Sequence, residues 1–479
     1  MNVVVFAVHF NQYRLKVDTD LCKRFLEYLK GLCIQYLFPV FGHKNQMDMH
    51  IEKAVPTSAN IVVLFHRPSI ISAMKQRKAY KYRIKTKLDQ VALFRQQAGC
   101  CRFVWNKALA LQKERLDAGE KVLNHTVLCK TLTGWKKEEG IKWLAGAQSQ
   151  TLQQTLKFLD QAIKEAFNKK NPKKFPRFKK KGRGTDSFRY PQGFKLDRDR
   201  IFLPKVGWVR FTKSREIEGT PKNVTVSRRG DHWYVSIQTE REIDEPVHHS
   251  SSSIGIDLGI TRFATFSDGS FLEPLNSFKK LEKKLAKEQR RLARKTKISA
   301  NWKKQKRRIS RLHICIADTR NDYLHKASST ISKNHAIVCV EDLKIKNMSK
   351  SAAGTSEAPG KKVRAKSGLN RAILDQGWFE FRRQLEYKLA WNGGWLIKVS
   401  PKNTSRTCPV CGLISKENRK TQAQFKCMEC GFEEHADLVG AINILRAGHA
   451  RFACEVSGAV MPPAAGTHQI NYTQAYALA

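Results

Sequence analysis

No run of about 20 apolar residues, the length of a bilayer-spanning helix, occurs in the sequence, so nothing in it is expected to cross a membrane. The short apolar run at residues 3–8 has no basic segment before it and no clear cleavage site after it, and no signal peptide is expected. Cysteine is sparse: 12 in 479 residues make no disulfide framework, a device of short secreted chains. Cys100, Cys101, Cys315 and Cys339 lie in apolar patterns and read as reduced core residues of a cytosolic protein. Acidic residues are also scarce, with 42 Asp and Glu against 88 Lys and Arg, a net charge of +46 and a pI near 10.0. Such an excess repels itself and is best tolerated beside a polyanion. Nucleic acid is the expected partner, and an anionic membrane surface is the rival.

What is present is a globular composition, 41% hydrophobic and 9% aromatic, in a chain too long for one core. Residues 1–73 lack the lysine runs of the rest and hold a helix-like stretch over 21–37. From Met74 a basic, alternating pattern predicts a strand. Helical spacing follows in Phe94, Cys101, Val104, Trp105, Ala108 and Leu111, and again in Leu152, Leu156, Leu159, Ile163 and Phe167. Between 168 and 183, Lys, Arg and Pro with Phe175 and Phe178 make a basic loop, either suited to phosphate contacts and stacking or simply solvated. Strands return over 187–240, with a hairpin turning at Arg229-Gly230-Asp231. Helices interrupting a set of strands suggest an insertion into a small β-barrel. A third block opens with the strand Ile254-Gly255-Ile256-Asp257-Leu258-Gly259, whose bare glycines leave room for a nucleic-acid backbone beside Asp257. After it come two strongly basic helices, a strand ending at Glu341, a Ser/Ala/Gly/Lys-rich mobile loop over 349–366, a helix over 372–391 and a strand over 395–399. Beyond about residue 453 a disordered tail is expected.

The pairs Cys408-Pro409-Val410-Cys411 and Cys427-Met428-Glu429-Cys430 are separated by fifteen residues. Four thiolates at that spacing make a tetrahedral, structural zinc site. Asp437 then opens an amphipathic helix, where by itself it reads equally as a cap. Asp257 in mid-strand, Glu341 at a strand end and Asp437 at a helix start follow the acid order of an RNase H-like fold. There the three carboxylates would converge on two divalent ions about 3.5–4 Å apart. Mg²⁺ is the expected catalytic ion, because a hard cation prefers oxygen ligands and keeps open positions for phosphate. Each acid has a plainer alternative: a turn for Asp257, a surface strand end for Glu341 and a cap for Asp437.

Four stretches carry a resemblance. They are Gly255-Ile256-Asp257-Leu258-Gly259, Val340-Glu341-Asp342-Leu343, Thr404-Ser405-Arg406-Thr407-Cys408-Pro409-Val410-Cys411-Gly412 and Asp437-Leu438-Val439-Gly440-Ala441-Ile442-Asn443-Ile444. With Arg102-Phe103-Val104-Trp105-Asn106-Lys107-Ala108-Leu109 and Ser187-Phe188-Arg189-Tyr190, they resemble TnpB, the OrfB-type transposon family related to type V CRISPR effectors, over residues 74–450. The resemblance implies a multidomain α/β protein: a wedge-type β-barrel at 74–92 and 186–248, a helical recognition insertion at 93–185, a RuvC-like nuclease domain at 249–400 and 435–452, and a zinc ribbon at 401–434. Residues 1–73 would be an extension of unknown role and 453–479 the tail. Asp257, Glu341 and Asp437 would be the catalytic, Mg²⁺-binding triad, and Cys408, Cys411, Cys427 and Cys430 the zinc ligands. Arg406 is a candidate for the scissile phosphate or a plain ribbon arginine; His435 is a neighbour of Asp437 or a loop histidine. The implied activity is RNA-guided cutting of double-stranded DNA beside a short motif, in a prokaryotic cytoplasm near the nucleoid. A nuclease-silent RNA-guided repressor and a transposase or accessory protein of DNA transposition stay open as alternatives, with a non-enzymatic zinc-ribbon transcription factor behind them.

Overall fold

A computed structural model describes residues 2–9, 60–67, 74–169, 173–182 and 184–457. The helix-like stretch at 21–37 and the tail past 457 lie outside the described residues. Strands β1 (Asn2–His9) and β2 (Asn60–Arg67) form one antiparallel pair.

Alternation dictates β3 (Met74–Lys85): Tyr80, Tyr82 and Ile84 are buried, while Lys81 and Arg83 between them face outward. The helices α1 (Leu88–Asp117), α2 (His125–Trp135) and α3 (Ser149–Ala166) come next. Strands β4 (Ser187–Tyr190), β5 (Lys195–Asp197), β6 (Arg200–Leu203), β7 (Gly207–Phe211), β8 (Thr220–Arg229) and β9 (His232–Ile243) complete an antiparallel sheet of order β4-β8-β9-β3-β7-β6-β5. Strand β3 is its pivot, pairing with β9 along 74–83 and with β7 at 84–85. No ladder joins β4 to β5 among the described residues, so the hydrogen-bonded sheet stays open at those ends. Helix α1 begins at Leu88, five residues inside the segment expected to be barrel (74–92). The helices share one core with the sheet, where Phe94 meets Trp233 at 5.2 Å and Phe188 at 5.9 Å between ring centroids.

The second sheet holds β10 (Ser253–Asp257), β11 (Ala264–Phe266), β12 (Phe271–Leu272), β13 (Ile337–Glu341) and β14 (Trp395–Val399) in the order β12-β11-β10-β13-β14. Strands β10, β13 and β14 run parallel, and β11 and β12 are antiparallel. The basic helices α4 (Ser277–Ala293) and α5 (Ala300–Asn334) lie between β12 and β13. A short α6 (Ile345–Met348), then α7 (Val363–Gln376) and α8 (Trp378–Asn392), link β13 to β14. Strands β15 (Gln424–Lys426) and β16 (Glu433–His435) carry the cysteine unit, and α9 (Ala436–Ser457) closes the fold.

Four expectations are corrected here. The single helix over 372–391 is two, broken at Gly377 in the left-handed region (φ 74°). From α7, Asp375 accepts hydrogen bonds from Ser277 Oγ and the backbone N–H groups of Phe278 and Lys279, capping α4 across the fold. The mobile loop over 349–366 is cut short, since α7 starts at Val363. Helix α9 runs to Ser457, past the point where a tail was expected. Cys315 is exposed, whereas Cys100, Cys101 and Cys339 are buried as expected.

Candidate active site

Asp257 is the last residue of β10 and Glu341 the last of β13. These strands are parallel neighbours with Ile256 opposite Val340, so both acids leave the sheet at the same end. Asp437 lies in the first turn of α9, which packs across β10 and β13. The glycines explain how the helix comes so close. A Cβ on Gly255 would lie 2.2 Å from the Ala441 carbonyl, and one on Gly448 would lie 2.1 Å from Cys339 Sγ. The bareness of Gly255 thus serves helix packing and not the approach of a nucleic acid, as the sequence had suggested. One turn past Asp437, a Cβ on Gly440 would sit 3.0 Å from Asp257 Oδ2, which brings the third acid to the first two.

Electrostatics report the same convergence. Burial, followed by the nearby Glu341 and Asp437 charges, pushes the Asp257 carboxyl up to about 7, with Arg419 opposing. Burial also raises Glu341, against a 2.6 Å hydrogen bond from Thr404 Oγ1 and the Arg419 charge. A buried Asp257 carboxyl raised further by two neighbouring acids marks a site short of positive charge, and the three carboxylates offer the oxygen ligands that suit hard divalent cations.

Arg419 is the residue that sequence reasoning missed. Its guanidinium donates to Asp437 Oδ1 at 3.4 Å and to the Gln422 carbonyl at 2.8 Å, and its charge reaches Asp257 and Glu341 as well. Nothing in the run Lys416-Glu417-Asn418-Arg419-Lys420 distinguishes it from its basic neighbours. Beside it Asn418, 1% exposed, donates to the Arg406 and Leu413 carbonyls and accepts from Met428 N–H, binding the two cysteine knuckles together. Arg406 itself is exposed, and among the described residues no hydrogen bond or ion pair joins its guanidinium to the three acids. His435 Nδ1 accepts the backbone N–H of Asp437 at 3.2 Å, fixing the start of α9. Asn443 on α9 donates to the Thr404 and Thr407 carbonyls, both at 2.8 Å, tying the cysteine unit to the helix.

The sulfurs of Cys408, Cys411, Cys427 and Cys430 all lie within 4.8 Å of one another, with 3.6 Å from Cys408 to Cys430 and 3.4 Å from Cys411 to Cys427. Four thiols at that separation suit one tetrahedral ion with soft ligands. The carboxylates are spread more widely and make no such cluster.

Among the described residues no helix is long and apolar enough to cross a membrane. A family model described as "Probable transposase" (OrfB, IS605 type) matches residues 235–352, and one for the TNB domain of Cas12f1-like proteins matches 378–444. An Escherichia coli K12 protein named "Putative RNA-guided DNA endonuclease InsQ" is 53% identical over 383 residues, covering 80% of this chain and 94% of its own length. A Streptomyces pristinaespiralis protein named "Putative RNA-guided DNA endonuclease" is 33% identical, over 79% of this chain and 91% of its own. The chain belongs to the TnpB family. A Methanocaldococcus jannaschii TnpB-like protein is 29% identical over 34% of this chain and 64% of its own. The first structural neighbour, a Cas12f1 chain in complex with sgRNA and target DNA, aligns over 78% of this chain and 98% of its own. It is 14% identical with a TM-score of 0.44, too low to establish a common fold alone. A third model, described as a helix-turn-helix domain, matches 74–121. Here that segment folds as strand β3 and the single long helix α1.

Proposed function

We propose that this TnpB-family chain is an RNA-guided DNA endonuclease that hydrolyses phosphodiesters at Asp257, Glu341 and Asp437. The observation that supports it best is the convergence of the three acids at one end of a β12-β11-β10-β13-β14 sheet closed by α9, the strand order of an RNase H-like, RuvC-type nuclease. In this reading the seven-stranded sheet is the wedge domain, α1 to α3 form the recognition insertion, and the cysteine unit is a structural zinc ribbon. The names of the relatives support a guide RNA and a DNA target as partners, and the net charge of +46 suits both.

Asp257, Glu341 and Asp437 would hold two Mg²⁺ ions, which when bound supply activation of a water and stabilisation of the departing 3′ oxygen. The chain's own residues do the rest. Thr404 holds the Glu341 carboxylate by its 2.6 Å hydrogen bond, and the Gly440 gap keeps Asp257 against the first turn of α9. Arg419, already beside Asp437, is placed to pair with a phosphate oxygen and to balance charge in the transition state. Arg406 is left on the ribbon surface. Pairing with the guide would select the target while the basic surface holds the heteroduplex by its backbone. The test is to express the chain with its native flanking DNA, sequence the RNA that copurifies, and offer a matching duplex with Mg²⁺. A specific RNA and Mg²⁺-dependent cutting are expected. Bound RNA without cutting would favour the repressor, and no RNA would return the transposase to first place.

A further inference from the structure

The stretch Arg102-Phe103-Val104-Trp105-Asn106-Lys107 on α1 has no part in the nuclease site, yet two of its side chains do something specific. Asn106 clasps the backbone of Lys179: its Nδ2 donates to the Lys179 carbonyl at 2.9 Å, and its Oδ1 accepts the Lys179 N–H at 2.8 Å. Trp105 Nε1 donates to the Arg177 carbonyl at 3.0 Å, and Lys179 Nζ lies 3.6 Å from the centre of the Trp105 ring. The loop rich in lysine and proline is therefore held in one shape, although it has no helix or strand of its own. The clasp does not bury the charges. Arg177, Phe178, Lys180 and Lys181 are all exposed, and Lys113 from α1 reaches over the Phe178 ring at 5.0 Å.

Among the described residues no acid pairs with Arg177, Lys180 or Lys181, in contrast to Lys173, which is bound to Glu165 at 2.7 Å. Unpaired cations set side by side around an exposed ring repel one another and offer both parts of a nucleotide contact. The lysines meet phosphate, and Phe178, 46% exposed, presents a stacking face to an unpaired base. A solvated linker would need no such clasp. Fixing the loop beforehand lowers the ordering cost of binding. From the juxtaposition of clasp, cations and exposed ring, we infer that residues 177–181 are a preformed contact for the phosphate backbone and one unstacked base of a polynucleotide. Trp105 and Asn106 act as its positioning residues. The inference rests on the proposed nucleic-acid function and adds a surface on the helical insertion to it.

The experiment measures binding of the full chain to a fluorescein-labelled mixed-sequence RNA and to a duplex DNA of the same sequence across a salt series. Lys180→Ala with Lys181→Ala should lower the slope of log affinity against log salt by about 0.7 per lysine on a single strand or about 0.9 on duplex. Phe178→Ala should weaken binding roughly tenfold, mainly to the single strand. Asn106→Ala removes no charge and should still weaken binding several-fold with an unchanged melting temperature, which a merely charged surface would not show. Loss on the RNA assigns the contact to an unpaired strand as inferred, and loss confined to the duplex overturns the stacking contact. An unchanged salt slope in the double-lysine variant, with wild-type binding intact, overturns the inference and leaves the nuclease reading standing. A wild-type chain that binds neither probe overturns both.

Discussion

The four cysteines and the three acids are held together in opposite ways. Five buried residues make the core of the cysteine unit, and two of them, Cys408 and Cys427, are themselves proposed zinc ligands. Its strands are three residues each. The carboxylates instead stand on a sheet backed by a core of fifteen buried residues, none of which is an acid of the site. If the cysteines hold zinc, their unit needs the ion to fold, whereas the sheet has a core of its own and places Asp257 where burial and two neighbouring acids disfavour its charge. Loss of zinc should therefore cost the cysteine unit its structure, and loss of Mg²⁺ should cost the acid site its chemistry.

The largest effect tests the first half of that contrast. Structural zinc contributes roughly 10–16 kcal/mol to folds of this kind. Cys408→Ser should therefore release the zinc and open residues 401–434 to proteolysis while the seven-stranded sheet stays protected. Cutting should fall with it, because Arg419 and Asn418 sit on the opened unit. Metal analysis and limited proteolysis read this directly; full zinc content in the variant would refute the assignment.

The next effect separates two arginines that the sequence could not. Arg419→Ala should slow cutting by roughly a hundredfold or more, the scale for losing one donor that stabilises transition-state charge, with RNA binding unchanged. Arg406→Ala should stay within a few-fold of wild type in the same single-turnover assay, and the reverse ranking would contradict the geometry.

The smallest effect concerns stability. The folded Asp257 carboxyl lies at about 7 against an ordinary 3.8, so the folded state holds a proton that the unfolded chain releases. Stability from this group is complete below about pH 4 and is lost as pH rises through 7. Asp257→Asn removes the penalty. Without Mg²⁺ it should raise the melting temperature at pH 8 by a few degrees, and the gain should vanish near pH 4. Added Mg²⁺ should stabilise the wild type at pH 8 and not the variant. A gain equal at both pH values would show that ionisation of the buried, acid-flanked Asp257 carboxyl is not its source.

The same contrast explains what the sequence could convey. Four cysteines at fixed spacing could be read as one cluster, and the fold brings their sulfurs together. The positions of Asp257, Glu341 and Asp437 at element ends could be read from the order of strands and helix, and their role as a site stays the proposal above. Arg419 could not be picked out, because only the folding of the ribbon over Asp437 distinguishes it from Lys416 and Lys420. Gly255 was misread for a related reason: alternation along β10 shows that a face is bare, but not that α9 fills it. The break at Gly377 was hidden because the helical pattern continues on both sides of it. The clasp of Asn106 on Lys179 spans 73 residues, a separation that no local pattern reveals.

The most direct test of the central claim is cutting of a duplex matched to the copurified RNA, comparing wild type with Asp257→Ala in Mg²⁺. The variant should keep its RNA, its zinc and its target binding and lose cutting of both strands. A variant that still cuts at the wild-type rate would contradict that claim and place the chemistry elsewhere in the chain.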